Sequence, residues 1–232
     1  MEMKCYNRKI SYVIDVPEKV KTSFTSIKKI KKGMNQNTDL VYKLNGLYAF
    51  LSEENVKTYL EPFAGIGFSS AMIKELHDPI MILNDINIDL VHCLERFFPN
   101  QRIYNRDVLT QRLLKRGGTT IDCCFFDHNR FTFTKQIKMV LSFLQMLSAT
   151  TQCFIWTDVF PFSLKKWDID RLNDYLNVAE SFINLMGWGI ESVYLYPNKH
   201  VMLVKAKKGK FDRVFIDCKD KFTIKILEGF GL

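Results

Sequence analysis

Four acidic side chains follow short apolar stretches of the sequence, and their positions are the first indication of chemistry. They are Glu61, Asp85, Asp107 and Asp127. An isolated acid in such a place is usually a cap or turn residue. Four of them at corresponding places in consecutive units predict one shared site, in which carboxylates accept hydrogen bonds from a ligand.

The first acid opens a short glycine-containing segment, Glu-Pro-Phe-Ala-Gly-Ile-Gly at residues 61–67. Gly65 and Gly67 allow the backbone to turn tightly and to approach a ligand closely, where a side chain would clash. Asp85 follows Gly67 by 18 residues, close to the offset of about 20 residues at which an acid binds ribose hydroxyls in nucleotide-binding folds. A purely structural turn is the alternative for so short a motif.

The glycine pattern also separates one cofactor from another. A dinucleotide-binding fingerprint would place a third glycine at position 70, which is Ser70 in this chain, so the pattern disfavours NAD and FAD. S-adenosylmethionine carries a ribose but no pyrophosphate, and it therefore fits a ribose-binding acid combined with a short glycine loop. The sequence predicts S-adenosylmethionine as the cofactor.

The elements that must position these residues alternate between strands and helices. Strands are predicted at 56–63, 80–84, 102–104, 121–126 and 153–156, and helices at 39–53, 69–76, 89–98, 135–147 and 172–186. Parallel strands need such helical crossovers, while segments 191–196 and 200–205 flank Pro197 as a hairpin. The order predicts an α/β fold with a Rossmann-like, mostly parallel sheet, an antiparallel hairpin at its end and helices on both faces. Ligands of such sheets bind at the carboxyl ends of the strands.

Two of these segments resemble a known family. Residues 59–67 resemble motif I of class I methyltransferases, and residues 82–91, Ile-Leu-Asn-Asp-Ile-Asn-Ile-Asp-Leu-Val, resemble the acidic segment of the Dam-type DNA adenine-N6 methyltransferases. Those enzymes read Asn-Asp-Ile-Asn-Pro-Asp-Leu-Ile there. The likeness covers residues 57–95 well and residues 96–130 by order and spacing. It implies the class I methyltransferase fold and S-adenosylmethionine-dependent methyl transfer.

The resemblance also implies roles for individual residues. It places Glu61, Gly65 and Gly67 near the methionine part of the cofactor, Asp85 on the ribose hydroxyls and Asp107 beside the adenine. The remaining predicted cofactor contacts are Phe63, Ala64 and Ile86.

The catalytic motif departs from the family pattern. Dam-type enzymes have Asp-Pro-Pro-Tyr after the fourth strand, where the acid holds the target amino group and the tyrosine stacks on the flipped base. This chain has Asp127-His128-Asn129-Arg130, which keeps the acid but neither the prolines nor the aromatic ring. Asp127 is predicted to accept a hydrogen bond or a proton from the target group, and His128 is a candidate general base because histidine titrates near neutrality. Asn129 and Arg130 are predicted to contact substrate.

Cytosine-C5 transfer is a second chemistry to weigh, because it needs a cysteine nucleophile in this same loop. Cys123 and Cys124 lie inside the apolar strand before the loop, and they are therefore predicted to be buried thiols. None of the six cysteines forms a C-x-x-C pair, so the sequence indicates no zinc or other metal site. Reduced thiols are typical of a cytoplasmic protein, which is the predicted location.

The composition of the chain indicates a globular protein. The 232 residues include 33 Lys or Arg and 25 Asp or Glu, for a net charge of +8, and 47% are hydrophobic. That content supports a substantial core, and no apolar stretch reaches the 18–20 residues of a membrane span. We expect a basic N-terminal extension at 1–38 with a lysine-rich stretch at 19–32, a methyltransferase-like domain at 39–208 and a C-terminal extension at 209–232.

A segment of basic and aromatic residues after the fifth strand is a candidate contact for nucleic acid. It contains Phe160, Lys165 and Lys166, and aromatic rings interleaved with lysines suit stacking on bases and contact with phosphates. The predicted function is S-adenosylmethionine-dependent methylation of nucleic acid, DNA rather than RNA and adenine-N6 by resemblance. The alternative is a catalytically silent methyltransferase-like protein that binds nucleic acid or serves in an assembly.

Overall fold

The computed structural model describes residues 38–65, 67–108, 120–127, 139–145, 151–160, 168–196 and 201–217. In this part of the chain, eight strands form one sheet in the order β3-β2-β1-β4-β5-β7-β6-β8. The strands are β1 (Thr58–Glu61), β2 (Ile80–Asn84), β3 (Arg102–Tyr104), β4 (Ile121–Phe126), β5 (Thr151–Val159), β6 (Trp188–Leu195), β7 (Val201–Lys208) and β8 (Val214–Asp217). The lysine-rich stretch at 19–32 lies outside the described residues.

The strand directions match the predicted sheet. Strands β1 to β5 pair in parallel, whereas β7 is antiparallel to both β5 and β6. β8, which lies in the predicted C-terminal extension, adds a parallel edge strand beside β6. The order reverses between β1 and β4, and such a switch point leaves a crevice outside the carboxyl ends of the strands. We call this side of the sheet the carboxyl edge.

Helices cover both faces of the sheet. They are α1 (Thr38–Leu51), α2 (Phe68–His77), α3 (Ile88–Phe97), α4 (residues 139–145) and α5 (Ile169–Asn184). Apolar residues of α1, α2 and α3 share one buried cluster with alternate residues of the strands. Those of α4 and α5 share a second cluster with the intervening residues. Because successive side chains of a strand point to opposite faces, the near-continuous apolar strands supply both clusters.

Helix α1 packs on one face of the sheet and leads the chain into β1. Its buried residues Leu44, Leu47 and Leu51 repeat every three to four positions, which is the period of a helix with one apolar face. The chain enters β1 at the amino end of that strand. The end of α1 therefore lies near the amino ends of the parallel strands, and its start lies on the carboxyl edge. No helix of the described residues is long and apolar enough to cross a membrane.

Candidate active site at the carboxyl edge

The glycine loop and the acid after β2 are joined directly. The carboxylate of Asp85 accepts a hydrogen bond from the backbone N–H of Gly65 at 3.0 Å through Oδ2 and from Asn87 at 2.8 Å through Oδ1. Asn87 in turn caps α3 by accepting from the N–H of Asp89. Each carboxylate oxygen has a second lone pair, so Asp85 can still accept hydrogen bonds from a ligand.

The backbone of the glycine loop borders open space at one glycine and is tightly packed at the other. Gly65 has φ 56°, and a Cβ added there would find no atom within 4 Å. Gly67 has φ 87°, and its Cβ would lie 2.7 Å from the ring of Phe98. Ile86, which follows Asp85, exposes 68% of its surface. An exposed apolar side chain beside open backbone can receive the flat face of a ligand.

Asn84 is a positioning residue that the sequence reasoning missed. Its amide donates to the carbonyls of Pro62 and Arg106 at 3.0 Å each and accepts from the N–H of Arg106. The loops after β1, β2 and β3 are therefore tied to one buried side chain. Its place at the end of an apolar strand, directly before Asp85, is the signal that could have found it.

The segment after β3 is held against the Asp85 loop. The amide of Asn105 donates to the carbonyls of Asp85 and Ile86 at 2.9 Å. Asp107, the predicted adenine neighbour, follows two residues later and is half-buried. The structure thus brings the Asp107 segment to the same edge as Asp85.

Glu61 lies at the end of β1 in a cage of hydroxyl groups. It is 1% exposed, and it accepts hydrogen bonds from the side chains of Ser69, Ser70 and Tyr59. Burial raises the pKa of this carboxyl to about 7, even though both serines favour its charged form and Lys43 adds an attractive positive charge. A cation bound beside Glu61 would favour the ionised carboxylate.

Asp127, the predicted catalytic acid, is held by two partners. Lys43 of α1 forms an ion pair with its Oδ2, and the hydroxyl of Thr157 donates to its Oδ1 at 2.8 Å. The two charged side chains are 13% and 8% exposed. The sequence reasoning missed Lys43, although a lysine between Leu40 and Leu47 on the apolar stripe of a helix is a usable signal.

A second buried acid, Asp158, lies on the other face of β5. It is 2% exposed and accepts hydrogen bonds from Trp156 at 3.1 Å, Tyr175 at 3.0 Å and the N–H of Val159 at 2.8 Å. Burial raises its pKa to about 6 despite these donors. Because its polar partners all belong to β5 and α5, Asp158 anchors that helix.

The predicted substrate contacts are only partly within the described residues. Phe160 is 1% exposed, and its ring packs edge-on against Tyr175 with centroids 5.3 Å apart. A stacking role would require the ring to leave this position. Five of the predicted residues lie outside the described part of the chain and remain predictions. They are His128, Asn129, Arg130, Lys165 and Lys166.

The cysteines and metal ligands offer no competing site in the described region. Cys123 and Cys124 are fully buried inside β4, as predicted, and burial raises the pKa of the Cys124 thiol well above its usual value. Such a thiol is a poor nucleophile, because the thiolate is the reactive form. Among the described residues, no group of three or more His, Cys, Asp or Glu is placed to hold a metal ion.

The structure is similar to solved methyltransferases. A TehB-like S-adenosylmethionine-dependent methyltransferase from Corynebacterium glutamicum aligns with a TM-score of 0.53 and 12% identity, covering 83% of this chain and 100% of that one. A proposed RNA methyltransferase from Pyrococcus horikoshii aligns at 0.50 and 16%, covering 74% and 85%. A ribosomal protein L11 methylase from Lactobacillus delbrueckii subsp. bulgaricus aligns at 0.50 and 10%, covering 72% and 77%.

These likenesses establish the fold. The chain has the Rossmann-like fold of class I methyltransferases, as the sequence predicts. Two of these names give different substrates, RNA in one case and a ribosomal protein in the other. Because one fold serves many functions, the substrate must be argued from the site. No protein-family model matches this sequence, and no curated protein is significantly similar to it.

Proposed function

We propose that this protein uses S-adenosylmethionine to methylate a nucleic acid, with an adenine amino group of DNA as the target that the sequence resemblance favours. The observation that carries the proposal is the bond from Gly65 to Asp85. It joins the glycine loop to the acid at the switch point of a methyltransferase-type sheet, where a nucleoside would bind.

The residues at this edge fit the cofactor part by part. Asp85 has lone pairs left for ribose hydroxyls, and the exposed side chain of Ile86 can cover one face of the adenine. Gly65 leaves room for close approach to the loop backbone. Glu61 would meet the positively charged methionine end, where a nearby cation favours its ionised form. Asp107 would lie beside the adenine ring of the cofactor.

The catalytic contribution of the chain is mainly positional. The bound cofactor supplies an activated methyl group on a sulfonium centre. Aligning it with the attacking atom accounts for much of the rate in such a transfer. Asp127, oriented by Lys43 and Thr157, would accept a hydrogen bond from the target group. His128 is the candidate for taking up the proton.

Cofactor binding is tested first, by calorimetry with S-adenosylmethionine. We expect the wild type to bind and Asp85→Ala to bind at least about 10-fold more weakly, since a charged hydrogen bond is worth roughly 1.5–3 kcal/mol. Asp174→Ala, an exposed acid on α5, is the matched control and should bind normally. Asp85→Asn separates loop disruption from loss of charge. Absence of binding in the wild type would refute the proposal.

Substrate is tested by transfer of a labelled methyl group to pools of DNA, RNA and protein. Label in DNA adenine supports the full proposal, whereas label only in RNA or protein corrects the substrate. Cofactor binding without transfer to any pool favours the silent alternative. That alternative is supported by one observation, the ion pair of Lys43 with Asp127, which occupies the acid that the degenerate Asp-His-Asn-Arg motif retains.

A further inference from the structure

The carboxyl edge divides into two halves at β4. Three acids of the proposed cofactor site, Glu61, Asp85 and Asp107, come at or after the ends of β1, β2 and β3, which lie together on one side of β4. Asp127 follows β4 itself, and β5, β7 and β6 lie on its other side. With the cofactor over the first half, a target group that contacts Asp127 would lie over the half from β4 to β6, which we call the acceptor half.

The acceptor half needs a flat apolar surface if its target is a flipped base, and the Asp-His-Asn-Arg motif carries no aromatic ring. Phe160 is almost fully buried, so it does not offer its ring to a ligand in this structure. Tyr42, near the start of α1, is only half-buried. It lies at the same edge as the candidate catalytic acid, because the next residue, Lys43, forms an ion pair with Asp127.

A row of aromatic rings fixes the position of Tyr42. Its ring packs on that of Tyr196, the residue after β6, with centroids 5.7 Å apart and planes tilted by 44°. Tyr196 packs in turn on Tyr194 at 6.1 Å, and Tyr194 packs on Phe50 at 6.5 Å. Tyr196, Tyr194 and Phe50 are buried, so Tyr42 is the member of the row that keeps an accessible part.

Strand β6 and helix α1 place this row at the carboxyl edge. β6 is antiparallel to β7, which is antiparallel to β5, so β6 runs in the same direction as β5 and also ends at the carboxyl edge. α1 lies close above β6 and β7, since a Cβ added at Gly46 would lie 2.8 Å from the ring of Tyr194 and 2.5 Å from Leu203. Gly46 lies about one helical turn after Tyr42 on the same helix face, so this close packing holds Tyr42 over the end of β6.

We propose that Tyr42 stacks on the target base in the acceptor half and so replaces the aromatic ring that the Asp-His-Asn-Arg motif lacks. The inference rests on the proposed function for its substrate class, a nucleobase, but the stacking itself does not require methyl transfer. The buried ring of Tyr196 holds Tyr42 in place before the substrate arrives, and a preordered side chain loses less entropy on binding. The contact accepts any base, because every base has a flat face.

The test separates contacts with bases from contacts with phosphates. Fluorescence anisotropy follows the binding of two labelled single-stranded DNAs of equal length and phosphate charge, one of random sequence and one abasic. Tyr42→Ala removes the ring, Tyr42→Leu removes it but keeps an apolar side chain against Tyr196, and Tyr42→Phe keeps the ring. Tyr48→Ala is the matched control, because it removes another half-buried tyrosine of α1 that lies nearer the amino ends of the parallel strands.

We expect Tyr42→Ala and Tyr42→Leu to bind the random strand about 10-fold more weakly than the wild type, because they lose the stacking of a base on an aromatic ring. Their affinity for the abasic strand should stay within about twofold of the wild type, and Tyr42→Phe and Tyr48→Ala should stay within about threefold on both strands. Equal losses on both strands, no loss on the random strand, or the same loss in Tyr48→Ala would overturn the proposal. A wild type that does not prefer the random strand would overturn it as well.

Calorimetry with S-adenosylmethionine and the methyl-transfer assay separate this inference from the proposed function. All four variants should bind the cofactor as the wild type does, because Tyr42 and Tyr48 lie outside the proposed cofactor contacts. A preference for the random strand that Tyr42→Ala abolishes, without methyl transfer to any pool, would keep the stacking role and refute the enzyme. Methyl transfer to DNA with an unchanged KM for DNA in Tyr42→Ala would do the reverse.

Discussion

Two groups of acidic side chains are held in opposite ways. On the α1 face, Lys205 contacts Glu54 at 2.7 Å and Glu191 at 2.8 Å, and Lys207 contacts Glu191 at 3.1 Å. We call these four residues the lysine–glutamate cluster. Partial burial works against the charge of Glu54, but hydrogen bonds from both lysines outweigh it and lower its pKa. At the carboxyl edge, Glu61 has only hydroxyl donors in contact, and burial raises its pKa to about 7.

The difference separates a structural charge from one available to a ligand. A carboxylate that is paired with lysines inside the protein is fixed in its ionised form and helps to hold the fold. A buried carboxyl with only neutral partners can change its charge when a cation arrives. Perturbed pKa values of the second kind cluster at functional sites. We therefore propose that Glu61 belongs to the ligand site and that the lysine–glutamate cluster stabilises the fold.

Removing the central cation of the lysine–glutamate cluster should have the largest effect. Lys205 is 5% exposed and also donates to the carbonyl of Phe50 at 2.9 Å. Lys205→Met leaves two carboxylates to share Lys207, and breaking a buried pair in this way costs about 3–5 kcal/mol. Urea unfolding at neutral pH measures the loss. Lys208→Met, on the exposed end of the same strand, is the control, and a loss below about 1 kcal/mol for Lys205→Met would contradict the structural assignment.

Neutralising Glu61 should increase the stability of the fold, whereas removing Lys205 should decrease it. Because its folded pKa is raised from 4.5 to about 7, its contribution to stability is fully present below pH 4.5 and is lost as the pH rises through 7. Glu61→Gln cannot ionise, so relative to the wild type it should gain stability across this range, by at most about 3 kcal/mol at pH 8. Urea unfolding at several pH values measures the difference between the two proteins.

The gain in stability should be accompanied by a loss of cofactor affinity. The uncharged amide of Glu61→Gln cannot balance the cationic methionine end, and we expect binding of S-adenosylmethionine about 10-fold weaker or worse. Glu53→Gln, at an exposed position after α1, controls for the loss of one negative charge. If Glu61→Gln were less stable than the wild type at pH 8, the hydroxyl cage would be structural and the comparison would fail.

The sequence indicates the parts of the site that are local along the chain. The β4 bounds at 121–126 are predicted to the residue, because a run of apolar residues ends at an acid. The 18-residue offset of Asp85 reflects one strand–helix–strand unit, and the structure joins Asp85 to Gly65 accordingly. The glycine pattern at 61–67 and the resemblance at 82–91 together indicated the cofactor, which periodicity alone does not specify.

The missed features depend on contacts between distant parts of the chain. Lys43 and Asp127 are 84 residues apart, and only the packing of α1 on the sheet brings them together. The predicted strand at 153–156 extends in the structure to Thr151–Val159, because β4 pairs with its start and β7 pairs with its end. Asp158 is buried where β5 packs against α5, whose Tyr175 donates to it. Such tertiary burial overrides local polarity.

The ion pair of Lys43 with Asp127 shares features with both the structural lysine–glutamate cluster and the Glu61 site. Its removal should give the smallest loss of stability. It is a lysine–carboxylate pair like those of the lysine–glutamate cluster, but it lies on the edge that carries Glu61. Lys43→Met leaves Asp127 with one neutral donor, Thr157, and we expect a loss of about 2 kcal/mol in urea unfolding because the carboxylate is mostly buried. Lys43→Arg keeps the charge and should lose less.

The same substitution tests whether the pair also tunes the site. Lys43 is one of the groups that lower the pKa of Glu61, whereas Asp127 raises it. Without the ammonium group, the Glu61 carboxyl should titrate at a higher pH than about 7, which carbon-13 NMR of the labelled glutamate side chains would detect. A higher Glu61 pKa together with weaker cofactor binding at neutral pH would make Lys43 a positioning residue of the site. An unchanged Glu61 pKa would group the pair with the structural charges, since a cation that acts on the site must change the charge balance there.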